Sequence, residues 1–185
     1  MRRLLGTLAL AAAAWAAEDA SKIMRPPDLS AHPSGAVDIV ATAPAGRLTL
    51  DGKPLAAEQP FPNVFHATIH PAPGEHTLEL QWEGGSKQTR FFVGANAPDE
   101  FKPFRQHPPL AGVECTQCHG LSSRGRFRFK GGCFDCHTQE QVLAKHPHEA
   151  HVLERCGDCH NAHGSTTDAL MMLPREAACK LCHGL

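Results

Sequence analysis

The sequence predicts two parts of different fold class. The N-terminal half reads as a small all-β sandwich. The C-terminal half reads as mostly irregular with short helices, and it lacks the side chains for a core of its own. Three observations predict this division. Residues 37–94 alternate apolar and polar side chains between Gly, Pro and Asp turns. From residue 107 onward, Leu, Ile, Val and Phe together number 14 of 79 residues, with no Ile at all. All eight cysteines fall into four pentapeptides of the form Cys-x-x-Cys-His, with none left over.

The first stretch, MRRLLGTLALAAAAWAAEDA, reads as a secretory signal over residues 1–16. Arg2 and Arg3 form its positive start, Leu4 to Ala14 its short apolar run, and Ala14-Trp15-Ala16 a small-x-small cleavage site. A membrane anchor is the alternative, but the run is short for a span. No cysteine lies near the cleavage site to carry a lipid. The expected product is exported, starts near Ala17 and has no transmembrane segment. The periplasm is the expected location and the cell surface the alternative. Residues 17–36, with Pro26-Pro27 and Pro33, read as an extended arm.

Next comes the β region, residues 37–94. In NVFHATIH, Phe65, Ala67 and Ile69 share one face, and His66, Thr68 and His70 the other. In GEHTLELQW, Leu78, Leu80 and Trp82 lie opposite Thr77, Glu79 and Gln81. RLTLDGKPL places Leu48 and Leu50 on one side and then turns at Asp51-Gly52, and SKQTRFFVG closes the region. Alternation between turn residues predicts five or six antiparallel strands over one core. The pattern resembles the small immunoglobulin-like sandwich modules of exported bacterial proteins. His66, His70 and His76 are expected to be solvated. Residues 95–106, rich in Pro and charge, read as a linker.

Residues 107–185 obey another grammar. A chain so poor in large aliphatic side chains cannot bury enough apolar surface to fold. Something other than side chains must supply the core. Two cysteines separated by two residues lie close together on one helical turn. Each can form a thioether to one of the two vinyl groups of a single haem. The adjacent His then presents its imidazole to the iron. Covalent attachment lets a short peptide hold a large cofactor, and the porphyrin becomes the missing core. Zinc ribbons, disulfide staples and thioredoxin-like pairs also use Cys-x-x-Cys, but none requires His after every pair. With 13 His in 185 residues, chance places one after all four pairs with a probability on the order of 10⁻⁵.

The expected cofactor is therefore four covalently bound haem c groups. They would be held through Cys115 and Cys118, Cys133 and Cys136, Cys156 and Cys159, and Cys179 and Cys182. His119, His137, His160 and His183 are the expected proximal iron ligands.

The second axial position separates a wire from an enzyme, since an iron with one protein ligand can bind substrate. Five histidines outside the motifs lie in this region: His107, His146, His148, His151 and His163. His107 precedes Cys115 by eight residues and His148 precedes Cys156 by eight. The spelling His-x₇-Cys-x-x-Cys-His thus occurs twice, each time followed by a further Cys-x-x-Cys-His. This reads as a tandem duplication, unit one over 107–137 and unit two over 148–183. Unit two adds His163 three residues after His160, where unit one has Ser122.

The stretch HEAHVLERCGDCHNAHGSTTDALMMLPREAACKLCH, with unit one as a looser copy, resembles the multihaem c-type cytochromes with doubled Cys-x-x-Cys-His motifs. The resemblance covers residues 107–185 and none of the β region. It implies a haem-organised fold, mostly bis-His ligation and electron transfer. It also implies distal ligands at His107, His148 and His163, with His151 or His146 as the fourth. Met171 and Met172 could offer a thioether, but ALMML reads more simply as packing on a porphyrin.

Between the first two motifs, Arg124, Arg126, Arg128 and Lys130 alternate with Gly125, Phe127 and Phe129. This is a strand pattern with one cationic and one aromatic face. The cations could pair with haem propionates, dock an acidic redox partner, or keep an edge strand solvated.

A net charge of −1 gives no sign of nucleic-acid binding. The reading is an exported tetrahaem carrier in a respiratory chain, not an enzyme. Its expected partners are redox proteins, including a membrane or outer-membrane complex. Two alternatives stay open: a multihaem reductase with one open iron position, and a self-associating cytochrome subunit in which a residue such as His32 ligates a neighbouring copy.

Overall fold

The computed structural model describes residues 21–33, 35–107, 114–145, 148–153 and 155–184. The expected signal segment and His146 lie outside the described residues.

Ten strands build a two-layer sandwich. One sheet orders β1 (Lys22–Arg25), β3 (Val37–Thr42), β7 (Val64–Ile69) and β6 (Glu58–Phe61). The other orders β10 (Lys102–Pro103), β2 (Ser30–His32), β9 (Gly85–Val93), β8 (Gly74–Trp82), β4 (Arg47–Leu50) and β5 (Lys53–Leu55). Taken in chain order, β1-β3-β7-β6 follows the A-B-E-D sheet of an immunoglobulin sandwich, and β9-β8-β4 follows its G-F-C sheet.

The alternation in the sequence explains the core. Val37, Ile39 and Ala41 from β3, Leu78 and Leu80 from β8, and Phe91 and Val93 from β9 are fully buried between the layers. Asp51 and Gly52 both adopt positive φ, 50° and 75°, and join β4 to β5 as a two-residue hairpin. That is the turn an Asp-Gly pair favours, because its twist matches the strands. Asp51 also fixes His76, whose Nδ1 lies 2.8 Å from Asp51 Oδ2 and whose Nε2 lies 2.8 Å from the Ala72 carbonyl. Burial opposes a charge on His76, but these bonds and the Asp51 carboxylate outweigh it and raise its pKa. His76 is thus a structural tie, where sequence reasoning expects a solvated side chain.

Two segments differ from expectation. The stretch read as an extended arm supplies β1 to one sheet and β2 to the other. Pro26 and Pro27 stop the first strand, and the chain crosses over to pair β2 parallel with β9. The stretch read as a linker is docked as well. Phe101 is buried near Phe92, and β10 pairs parallel with β2. Within residues 37–93 there are seven strands where five or six are expected. The short β5 and β6 sit at sheet edges, carry Pro54 and Pro60 and lack an apolar alternation to announce them.

The C-terminal part is built from small pieces. They are α1 (Cys115–Cys118), the hairpin β11 (His119–Leu121) and β12 (Phe127–Phe129), α2 (Gln139–Leu143), α3 (Ala150–Leu153) and α4 (Arg175–His183), with 3₁₀ turns at Cys133–Asp135, Cys156–Asp158 and Asp168–Leu170. Among the described residues, every fully buried apolar side chain lies at or before Phe101. The large exposed apolar side chains, among them Leu121, Phe129, Phe134, Met172 and Leu181, all lie after it.

Candidate functional site

Each Cys-x-x-Cys-His pentapeptide sits on a helical turn. Cys115 to Cys118 form α1, and Cys179 to His183 close α4. The two middle motifs are 3₁₀ turns. In them the His137 amide donates to the Cys133 carbonyl and the His160 amide to the Cys156 carbonyl, both at 2.9 Å. The turn brings both sulfurs of a pair to one side and leaves the imidazole at its end.

The eight cysteines form no disulfide. Cys133 lies beside Cys156, with Cys118 near, so the first three motifs converge. Burial, and then the neighbouring Cys156 sulfur, raise the Cys133 thiol pKa.

The histidines come together in pairs. His107 faces His137 with the two Nε2 atoms 3.5 Å apart and the rings perpendicular, at 89°. His119 and His163 stack nearly parallel, 16° between planes and 5.8 Å between centroids. His148 lies 6.1 Å from His183. The pairing repeats between units: the His that opens each unit meets the second motif of that unit, not the adjacent one. His163 crosses over from unit two to the first motif of unit one.

His160 bonds through Nδ1 to the Ala169 carbonyl at 2.9 Å. The segment behind it runs along the motif. There the Asn161 amide donates to the Leu170 carbonyl and the Met172 amide to the Cys159 carbonyl, each at 2.8 Å. Such a bond fixes the tautomer and leaves Nε2 as the ligating nitrogen. His151 is exposed, with Nδ1 3.5 Å from the Glu149 carboxylate.

The surroundings of three of these rings favour the neutral form. Burial, and then the facing His137, lower the His107 pKa. Burial lowers that of His119, partly offset by the Arg128 backbone. Burial, then His119, Arg25 and Lys22, bring His163 to about 4. A neutral imidazole offers the lone pair that a metal requires.

The donors fit haem iron. In the His107–His137 pair the two Nε2 atoms point at each other, and His107 Nδ1 is buried without a hydrogen-bond partner. Among the described residues, no cluster of three or more His, Cys, Asp or Glu side chains is placed to hold a metal ion. Three of the motif imidazoles each meet one further imidazole, the number that a haem iron takes.

The strand β12 reaches the same place. Phe127 stacks on His119 at 4.8 Å and 21°, and Phe129, 54% exposed, meets its edge at 5.6 Å. The sandwich reaches it too. Phe61 packs on Phe127 at 5.0 Å. Arg105 and Ser165 exchange backbone hydrogen bonds of 2.8 and 3.0 Å, and Arg105 pairs with Asp168 at 3.0 Å. Sequence reasoning misses Phe61, Phe104, Arg105 and Arg25, because no motif marks a contact from a different fold.

Residues 146–184 match the family model described as Doubled CXXCH motif. The match supports a c-type cytochrome-like family and covalent haem c binding for this part of the chain. No curated protein matches the chain. Five solved chains match part of it, among them the following three. The fibronectin(III)-like modules of Clostridium thermocellum CbhA are 17% identical, with a TM-score of 0.32, over 40% of this chain and 95% of theirs. The polysaccharide lyase BACCELL_00875 is 17% identical, with a TM-score of 0.31, over 37% of this chain and 11% of its own. The twitchin kinase region from C. elegans is 16% identical, with a TM-score of 0.28, over 42% of this chain and 17% of its own. Among the described residues, no helix is long and apolar enough to cross a membrane.

Proposed function

We propose that this chain is an exported tetrahaem c-type cytochrome that passes electrons between redox partners of a respiratory chain. The observation that carries the reading is the pairing of three motif imidazoles with three others: His137 with His107, His119 with His163, and His183 with His148. When bound, haem supplies a one-electron iron couple. The residues do the rest. Each cysteine pair would hold one haem through two thioethers, and the motif His would supply a nitrogen to its iron. The facing His would supply a second nitrogen and leave no open position for a substrate. His160 would be the fourth proximal ligand, and His151 or His146 would supply its second nitrogen. The side chains of Cys118, Cys133 and Cys156 lie together, which supports sites close enough to form one conducting path. Tunnelling decays steeply with distance, so closeness is what a carrier requires.

Intact-mass analysis and a haem stain of the exported chain test this. The expected mass corresponds to four haems, with one fewer after each Cys→Ser replacement of a motif pair. The expected absorption is low-spin, without carbon monoxide binding. A colourless compact chain, or one loaded with zinc, overturns the proposal.

A further inference from the structure

The sandwich touches the C-terminal part on two sides, and both contacts flank one imidazole pair, His119 with His163. On one side Phe61 packs on Phe127, and Phe127 stacks on His119. On the other, the Phe104 ring abuts Gly164. Behind Phe104 lies Arg25, at the end of β1, its guanidinium 5.3 Å over the ring.

Arg25 is an unusual residue to bury. It is 6% exposed, and its Nε has no hydrogen-bond partner. Among the described residues its carboxylate partner is Asp38, at 3.4 Å, and Asp38 also accepts from Thr68 through its other oxygen. A guanidinium carries five donors. A buried cation with unused donors is costly unless an anion completes its shell. Haem brings such anions in its two propionates, and Arg matches a carboxylate in geometry as well as charge. Lys22 is exposed on the same strand, and the irregularity between Ile23 and Arg25 puts it on the same side of β1 as Arg25, opposite Thr42 where Arg25 is opposite Val40.

We propose that Arg25, with Lys22 beside it, is a positioning residue that takes a propionate of the haem held by Cys115, Cys118, His119 and His163, so that the sandwich forms one wall of that site and raises the reduction potential of that haem. This rests on the haem reading above. Ferric haem carries one more positive charge than ferrous haem. A neighbouring cation, and the exclusion of water by Phe61, Phe104 and Phe127, both disfavour the ferric form. The two effects have the same sign, so the β domain makes one haem electrically distinct from the others.

The test uses the full exported chain as wild type, Arg25→Gln, Arg25→Lys and Lys22→Gln. Intact mass gives the haem count and a potentiometric titration followed by absorbance gives the potentials. With four haems retained, Arg25→Gln should move one component toward the ferric form by about tenfold at fixed ambient potential, about 59 mV for a one-electron couple. Lys22→Gln should move the same component by less, and Arg25→Lys should leave it near wild type. The moving component should be absent once Cys115 and Cys118 are both replaced by Ser. If Arg25→Gln is not exported, Lys22→Gln carries the test, because its side chain is exposed. Four retained haems with no component moved, or with all four moved alike, overturn this inference and leave the haem reading standing. A wild-type chain without covalent haem overturns the haem reading and this inference with it.

Discussion

His32 sits on β2 with its ring against Phe104 at 4.7 Å and Phe91 at 5.9 Å, and its Nε2 lies 3.0 Å from the Ser30 hydroxyl. A ligand donated to a neighbouring copy would have to leave this site, which is 6% exposed. Burial first, and then the positive Arg25, bring its pKa down to about 4. The unfolded chain takes up a proton near pH 6.5 and the folded one does not until about 4. His32 therefore contributes full stability above pH 6.5, and that contribution falls away as pH drops toward 4, by on the order of 3 kcal/mol in all. Urea midpoints at pH 7 and pH 5 check this: the wild type should lose stability on acidification and His32→Gln should lose less. The motif histidines and the openers His107 and His148 were conspicuous in the sequence because fixed spacing to a cysteine pair marks them. The burial of His32 was not, because one His among prolines carries no period.

At the scale of elements, the strands with a clean alternation were readable and those without it were not. β7 and β8 show their buried faces in the sequence. β1, β2 and β10 are two to four residues long, are bracketed by prolines and gain their place only from the sheets they complete. The joint between Phe104, just past β10, and the turn after His163 was likewise invisible. Gly164 has φ +114°, and a methyl group there would collide with the Phe104 ring and come within 2.8 Å of the Arg105 carbonyl. Gly164→Ala should destabilise the haem-loaded chain by about 1–3 kcal/mol through backbone strain and overpacking. Gly157→Ala, where a methyl meets open space, should have little effect. Equal urea midpoints for the two variants would show that the joint is not packed in solution.

For the whole molecule, the two halves differ in where they place their large apolar side chains. The sandwich closes on its own aliphatic core. The C-terminal part holds its large apolar side chains at the surface, with Leu181 69% exposed. Chain made where haem cannot be attached should keep a protease-resistant sandwich, while the part beyond residue 107 is cut and binds a hydrophobic dye. Haem-loaded chain should resist cutting throughout. Equal resistance of both forms would show that side chains alone hold that part together. This division was readable from composition, since it turns on which residues are scarce. The way the halves meet was not, because it depends on single contacts across the chain.

The partnership of His119 with His163 also has a direction in time. A ribosome makes His119 44 residues before His163. The site nearest the sandwich is therefore among the first to be started and cannot be finished until the first motif of unit two has emerged. Translation arrested after Cys159-His160 would deliver an intact sandwich beside a half-built ligand set. Its integrity thus reports on synthesis at least as far as His163.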